Sequence, residues 1–268
     1  MDNNYDRSSD SWAVILGGSS GFGFAAVKKL AAHGMNIATL YRETAITEAP
    51  LKKEFAAIAA EHHIIIKPYN LNATDETARN LFISDFKQHI NGKNNVKLLL
   101  HSIARGNLKP LIASDQQGEL SIQDIQATTY AMATSMLDWA RVLLQEELFE
   151  ADARVIGLTS DGAHKYWEGY AAVSVAKASL ESLATYMAVE LSKFGVKTNL
   201  IQAGITATSS LKKIPGSDKL IKHAKQKNPS GRITEPEDVA NVIYLLCTKE
   251  AAWINGSLIH VDGGEHCL

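Results

Sequence analysis

Short runs of apolar residues alternate along this chain with longer segments in which apolar positions recur at helical spacing. The first run, WAVIL at positions 12–16, contains no polar residue, and most later runs are equally unbroken. Unbroken runs of this length predict buried β-strands, and the periodic segments between them predict amphipathic helices. The predicted strands cover residues 12–16, 35–41, 63–71, 96–102, 153–160, 196–203 and 257–261. The predicted helices cover residues 24–33, 44–62, 75–90, 121–149, 236–249 and the stretch after Tyr170.

Strands that alternate with helices and are apolar throughout indicate a parallel sheet covered on both faces. We therefore predict an α/β fold: a single-domain, Rossmann-type, doubly wound parallel sheet of about seven strands with helices on both faces. Residues 1–10 are predicted to be a polar tail, and residues 11–268 the catalytic domain. The polar segment 206–230 is predicted to be a mobile flap with short helices over the substrate.

Composition narrows the class of protein. A chain of 268 residues with 46% hydrophobic and 21% charged residues is typical of a globular enzyme or binding protein. The net charge of -2 favours neither nucleic acid nor an anionic membrane as a partner. No apolar run is long enough for a membrane span, and the polar start does not resemble a signal peptide. Two cysteines predict no disulfide framework, so we expect a cytoplasmic protein, and no metal site is predicted.

The loop after the first predicted strand is rich in glycine. Gly17, Gly21 and Gly23 stand between a strand and a helix, where glycines let the backbone approach a pyrophosphate closely. The helix N-terminus adds free N–H groups and the positive end of a dipole. We interpret this loop as a dinucleotide site rather than a simple turn. Its predicted cofactor-binding residues are Gly17, Ser19, Ser20, Gly21, Phe22 and Gly23.

The ends of the second and third strands carry candidates for the adenosine half of a dinucleotide. Arg42, the first charged residue after the second strand, suits the 2′-phosphate of NADP, although a solvated loop arginine beside Glu43 is the alternative. Asn70 is a candidate to bond the adenine edge, with Leu71 against the ring. A simple turn explains Asn70 and Leu71 equally well.

Small and polar residues after the fourth and sixth strands are expected to line the nicotinamide half. His101 at the end of the fourth strand is a tempting catalytic residue, but it lacks a carboxylate partner nearby in sequence, so we favour a structural role. The predicted cofactor contacts at these two strand ends are Ser102, Ile103, Ala104, Gly204, Ile205, Thr206 and Thr208.

The stretch after the fifth strand holds Ser160, Tyr170 and Lys177. Tyr170 and Lys177 are seven residues apart, and seven steps of about 100° return to one face of an α-helix. A phenol and an ammonium on one face indicate a proton donor and a cation that tunes it. A surface tyrosine and a solvated lysine would give the same spacing, and the residues at the other strand ends favour the chemical interpretation.

Taken together, these positions resemble the short-chain dehydrogenases/reductases over nearly the whole chain. The chain departs from the ordinary members of that family at Leu16, in the segment 101–104, at Ala203-Gly204 and at Val173 four residues before Lys177, and these departures resemble the enoyl-acyl-carrier-protein reductase branch. The stretches 165–191 and 228–232 look closest to the NADPH-dependent FabL type. The resemblance implies Tyr170 and Lys177 as catalytic residues, with Ser160 beside them. Gly106, Tyr166 and Tyr170 are the expected substrate contacts.

The resemblance also implies reduction of the 2,3 double bond of a trans-2-enoyl thioester, with NADPH favoured over NADH. The expected partners are an acyl carrier protein that carries the enoyl chain and further copies of this chain in a homotetramer built through helices 121–149 and 170–194. Two alternatives stay open. One is a short-chain dehydrogenase acting on a ketone or alcohol such as a 3-ketoacyl thioester, and the other is a non-catalytic NADP-binding sensor.

A cluster of lysines in the predicted flap is a candidate docking surface for an acidic carrier protein. A solvated helix face explains the same residues equally well. The cluster comprises Lys212, Lys213, Lys219, Lys222, Lys225 and Lys227.

Overall fold

The structure is a computed structural model that describes residues 10–90, 92, 94–113, 118–214 and 216–268. Most of the predicted tail at 1–10, Pro215 and the side chain of Lys213 therefore lie outside the described residues. Seven parallel strands form one sheet in the order β3-β2-β1-β4-β5-β6-β7. The strands are β1 (Trp12–Leu16), β2 (Asn36–Tyr41), β3 (Ile66–Asn70), β4 (Val96–His101), β5 (Phe149–Thr159), β6 (Val196–Ala203) and β7 (Leu258–Val261).

Helices cover both faces of the sheet. They are α1 (Gly21–Ala32), α2 (Ala45–His62), α3 (Glu76–Phe86), α4 (Ile122–Thr129), α5 (Ser135–Gln145), α6 (Ala171–Ser192), α7 (Ser217–Lys227) and α8 (Pro236–Cys247). One apolar core joins the sheet to α3, α5 and α6, and a second joins the opposite face to α1, α2 and α8. The predicted doubly wound parallel sheet is confirmed. Within the described residues, no helix is long and apolar enough to span a bilayer.

The order of the strands places the site. Chain order runs outward from β1 to β3 on one side and from β4 to β7 on the other, so it reverses between β1 and β4. A crevice forms where the order reverses, beside the carboxyl ends of the strands, and ligands bind there in open α/β sheets. The glycine-rich loop after β1 and the Ser102 segment after β4 therefore lie side by side.

The predicted helix 121–149 is wrong in its C-terminal part. The helical stretch divides into α4, a π-helical turn at Tyr130–Thr134 and α5, and it ends at Gln145. Glu147 then adopts a left-handed conformation with φ of 55°, and β5 begins at Phe149, four residues earlier than predicted. Phe149 pairs with Val96 at the start of β4, a contact between distant residues that helical periodicity cannot reveal.

Candidate active site

A cavity of about 470 Å³ opens at the carboxyl ends of β1, β4, β5 and β6. It is bounded by the turn after β5 on one side and by the segment 206–227, including α7, on the other. A volume of this size suits a small organic ligand. Thirteen of the predicted site residues line it: Phe22, Ser102, Ile103, Ala104, Gly106, Ser160, Tyr166, Tyr170, Lys177, Gly204, Ile205, Thr206 and Thr208.

The glycine-rich loop has the geometry of an anion cradle. Gly17 has φ of 93°, and a Cβ on it would lie 2.4 Å from the carbonyl oxygen of Ser102. A Cβ on Gly23 would lie 2.1 Å from the carbonyl oxygen of Gly17. The N-cap residue of α1, Ser20, makes no side-chain capping bond, so the first N–H groups of the helix remain available for an anion. This loop fits the pyrophosphate of a dinucleotide.

The loop also meets the substrate side of the site. A Cβ on Gly21, whose φ is 54°, would lie 3.4 Å from the methyl group of Thr208. Ser19 is partly exposed and Ser20 is exposed. The segment after β6 therefore packs directly over the start of α1, so residues on both sides of the sheet crevice can contact one bound molecule.

Arg42 and Asn70 differ in how free they are to meet a ligand. Arg42 is exposed directly after β2 and has no ion pair or hydrogen bond to any other described residue. Asn70 is already engaged, because its Oδ1 accepts from the backbone N–H of Glu43 at 3.0 Å and its Nδ2 donates to the Glu43 carbonyl at 2.9 Å. These two bonds fix the exit of β2, and the adenine contact of Asn70 stays a prediction. Leu71 packs partly against the core.

Tyr170 is the N-cap residue of α6 rather than a residue within the helix. Its φ and ψ are −98° and 1°, and its carbonyl accepts the first helical hydrogen bond, from Ser174 N at 2.8 Å. The predicted helical face shared by Tyr170 and Lys177 is therefore wrong in detail, although both side chains line the cavity. A Cβ on Gly162 would lie 2.5 Å from Cε1 of Tyr170, so only glycine leaves room for this ring position.

Burial dominates the electrostatics of the catalytic candidates. It raises the pKa of the Tyr170 phenol, and a hydrogen bond with Ser160 partly opposes the shift. Burial, rather than a neighbouring cation, therefore sets the direction of the Tyr170 shift. Burial lowers the pKa of Lys177 to about 8, and the nearby charge of Glu181 opposes it. The Lys177 Nζ donates to the Leu158 carbonyl at 2.7 Å and keeps further N–H donors for a ligand.

Val173 occupies the helical position four residues before Lys177 and belongs to the apolar wall of the cavity. It is 4% exposed and packs with Met132 and Leu108. A Cβ on Gly106 would lie 2.3 Å from Cγ2 of Val173, so the backbone of Gly106 lies directly against this wall. At this position the site offers a hydrocarbon surface and no proton donor.

His101 has a structural role, as the sequence interpretation favoured. Burial, followed by the charge of Lys177, lowers its pKa to about 3, so the imidazole is neutral. Its Nε2 lies 2.9 Å from Oγ of Ser135 on α5, away from the residues that line the cavity. The bond ties β4 to the helix packed on its face.

The sequence patterns do not predict several of the contacts that complete the cavity. The C-terminal turn returns to the site, where the Glu265 carboxylate accepts from the backbone N–H of Ile205 at 3.4 Å. Burial raises the pKa of Glu265. His223 and Lys227 reach the cavity from α7. Nothing in the local sequence signals these contacts, because each joins residues from distant parts of the chain. Tyr166, a predicted substrate contact, lies at the rim and is 89% exposed.

Comparison with known proteins gives a consistent result. The family model described as "Enoyl-(Acyl carrier protein) reductase" matches residues 17–266. An NADH-dependent enoyl-acyl-carrier-protein reductase FabI of Aquifex aeolicus is 29% identical over 64% of this chain, and the match spans 62% of that protein, less than two thirds of its length. An NADPH-dependent FabI of Staphylococcus aureus is 28% identical over 69% of this chain and 71% of its own.

Other relatives have different names. A 2,3-dihydroxy-2,3-dihydro-p-cumate dehydrogenase of Pseudomonas putida is 25% identical over 96% of this chain and 94% of its own. Among solved structures, the Aquifex aeolicus enoyl-acyl-carrier-protein reductase superposes with a TM-score of 0.80 at 23% identity, covering 96% of this chain and 97% of that one. At this identity the superposition establishes the fold.

Proposed function

Because the chain belongs to the enoyl-acyl-carrier-protein reductase family of the short-chain dehydrogenases/reductases, we propose that it reduces the 2,3 double bond of a trans-2-enoyl thioester with NADPH. The observation that carries this proposal is the kind of side chain that lines the cavity at positions 170 and 173. Tyr170 lines the cavity seven residues before Lys177, whereas Val173 forms a buried apolar wall at the nearer position.

The position of the tyrosine suits conjugate reduction. In a ketone, one carbon accepts hydride and carries the oxygen that needs a proton. In a 2-enoyl thioester, hydride goes to the β-carbon and negative charge develops on the more distant thioester oxygen. A donor three residues earlier in the chain is anchored roughly 4.5 Å further along, at the helical rise of about 1.5 Å per residue. Tyr170 therefore reaches further than a donor at position 173 would.

The residues of the site divide the work between them. NADPH, when bound, supplies the hydride. The glycine-rich loop and the N-terminus of α1 hold a pyrophosphate, and Lys177 holds hydroxyl groups with its free N–H donors. Tyr170 donates a hydrogen bond to the thioester oxygen as negative charge develops, which stabilises the transition state more than the ground state. The wall of Val173 and Met132 excludes water from the reacting carbons.

The preference for NADPH depends on Arg42. Its exposed guanidinium follows β2 and is uncommitted to any described partner, as a 2′-phosphate ligand requires. The FabI relatives include both an NADH and an NADPH enzyme, so NADH is the alternative cofactor. Both cysteines are free thiols, which suits a reducing compartment such as the cytoplasm.

An acyl carrier protein is the proposed partner. The lysines of the predicted docking surface whose side chains are described are all exposed beside the cavity, and Lys227 lines it: Lys212, Lys219, Lys222, Lys225 and Lys227. A homotetramer is proposed through the exposed apolar side chains of α6, Tyr186 at 66% and Val189 at 71% exposure.

The test is a pair of assays with crotonyl and acetoacetyl thioesters in the presence of NADPH. We expect turnover of the enoyl substrate, and we expect Tyr170→Phe to lose about 99% of that activity, since one such donor contributes on the order of a hundredfold in rate. The variant should bind NADPH with parental affinity. Tyr244→Phe, on α8 and outside the residues that line the cavity, is the matched control and should keep most of the activity.

The p-cumate dehydrogenase relative supports a second candidate, a dehydrogenase acting on an alcohol or ketone. Turnover of the acetoacetyl thioester without turnover of the crotonyl thioester would favour it. Parental enoyl reduction by Tyr170→Phe would contradict the role assigned to Tyr170.

A further inference from the structure

Two consecutive residues at the end of β5, Leu158 and Thr159, each bind one polar side chain of α6. The Leu158 carbonyl accepts from Lys177 Nζ at 2.7 Å, and Thr159 Oγ1 donates to Glu181 Oε1 at 2.5 Å. The next residue, Ser160, lines the cavity with Tyr170 and partly opposes the effect of burial on the Tyr170 pKa. The segment that binds Lys177 thus also binds Glu181, a residue outside the cavity lining.

Both oxygens of the Glu181 carboxylate make hydrogen bonds with residues outside α6. Its second oxygen, Oε2, lies 2.7 Å from Nε2 of His164, in the turn between β5 and α6. The Glu181 side chain is 15% exposed, whereas that of His164 is 62% exposed. One carboxylate therefore joins the end of β5, the turn that follows it, and α6.

Glu181 also stands one helical turn after Lys177. Residues four apart lie on the same face of a helix, so the two side chains share one face of α6. Lys177 is only 6% exposed, and a buried ammonium is costly unless an anion or strong acceptors surround it. The Glu181 charge raises the Lys177 pKa and so opposes the effect of burial.

We propose that Glu181 is the positioning residue of this site: it keeps Lys177 charged and locks the turn that carries Ser160 and Tyr170 onto α6. The binding of cofactor hydroxyls by Lys177 is part of the proposed function, and this step of the inference rests on that function. The effect of Glu181 on the charge of Lys177 depends on the fold alone.

Other titratable groups also face Lys177 or line its cavity, so the test must separate the effect of Glu181 from theirs. They come from β4, the turn after β5, α7 and the C-terminal segment: His101, Asp161, Lys165, Tyr166, Tyr170, His223, Lys227, Asp262, Glu265 and His266. Within the described residues, Glu181 is the group whose charge acts on the Lys177 pKa.

The experiment measures the titration of Lys177 directly in the cofactor-free protein. Trace acetic anhydride is applied between pH 6 and 10, and the acetylation of Lys177 at each pH is quantified by peptide mass spectrometry. In the parent protein, the midpoint of the Lys177 titration should lie at about pH 8. Glu181→Gln, which keeps the shape and loses the charge, should shift the Lys177 midpoint downward by about one pH unit.

Glu190→Gln is the matched control, since it removes an exposed carboxylate from the same helix, and its midpoint should equal that of the parent. Glu181→Asp serves if Glu181→Gln does not fold. Aspartate keeps the charge but is too short to bond both Thr159 and His164, so a smaller downward shift is expected. A Glu181 variant that titrates at the parental midpoint overturns the proposal.

A second measurement separates positioning from simple structural support. NADPH affinity, followed by fluorescence across the same pH range, should fall at a lower pH in Glu181→Gln than in the parent. Equal weakening at every pH, with an unchanged Lys177 midpoint, would indicate structural support only and would overturn the proposal. A parent protein that reduces no enoyl thioester contradicts the proposed function, while the Lys177 midpoint still decides the role of Glu181.

Discussion

At the scale of single residues, the site depends on what stands four and seven residues before Lys177. Val173 is buried against the backbone of Gly106, and Tyr170 lines the cavity with a phenol whose pKa is raised by burial. A phenol with a raised pKa stays protonated at neutral pH. Tyr170 is therefore ready to donate a hydrogen bond, as stabilisation of a developing negative charge requires.

Cofactor preference is tested at Arg42. We expect Arg42→Ala to weaken NADPH binding about tenfold and to leave NADH binding nearly unchanged, because the proposed partner of the guanidinium is the 2′-phosphate, which NADH lacks. Dissociation constants for both cofactors, measured by fluorescence titration, check this. Lys53→Ala, which removes an exposed cation from α2, is the control. Equal weakening of both cofactors by Arg42→Ala would contradict the assignment.

Some residue roles could be predicted from the sequence and others could not. Gly17, Tyr170 and Lys177 stand at strand ends or at a characteristic spacing, so the chain itself marks them. The hydrogen bonds between Asn70 and the backbone of Glu43, 27 residues away, could not be predicted. Such a bond depends on which strands are neighbours, and short-range patterns carry no record of it.

At the scale of elements, the junction of three strands with α8 depends on a partly buried ion cluster. Arg154 on β5 is fully buried and donates to the carbonyl oxygen of Leu246, at the C-terminal end of α8, at 2.6 Å. Asp152 pairs with Arg154, with Lys97 of β4 and with Lys197 of β6. Burial opposes ionisation of Asp152, but these hydrogen bonds prevail and lower its pKa.

This cluster carries a stability prediction. Arg154→Met should lower the free energy of unfolding by roughly 3 kcal/mol, since it leaves buried carbonyl groups of α8 without their donor. Urea denaturation at pH 7 checks the value, with Arg141→Met at an exposed position of α5 as the control. Arg154→Met with parental stability would show that the cluster is dispensable.

The same cluster has a defined pH dependence. The Asp152 pKa is lower in the folded chain than its ordinary value of 3.8, so its stabilising contribution is present above pH 3.8. The contribution is lost as the pH falls through the folded pKa. Acid unfolding of the parent should therefore depend on Asp152 below about pH 4.

Some element boundaries are likewise set by the local sequence, and others by contacts between distant residues. β1 was predicted at its observed limits because a Gly-Gly turn ends an apolar run. The start of β5 was missed because its first residues include Glu150 and Asp152, whose polarity conceals a strand. The polar side chains are explained by Ser11, Lys97 and Lys197, which bond them from other elements.

At the scale of the whole molecule, the sheet and its two apolar cores were predictable. Alternation of unbroken apolar runs with helical periodicity admits few other architectures. The return of the C-terminal turn to the cavity was not predictable, because Glu265 meets the Ile205 N–H only after β7 has joined β6 at the sheet edge. The fold thus brings the segment after β6 and the C-terminal turn to one site.

The central claim is that the site delivers hydride to a carbon–carbon double bond. The most direct test supplies NADPH deuterated at C4 and a crotonyl thioester, and locates the label in the product by NMR. We expect a butyryl thioester with one deuterium on C3. Recovery of unlabelled crotonyl thioester, together with deuterium on the carbinol carbon when an acetoacetyl thioester is offered, would contradict it.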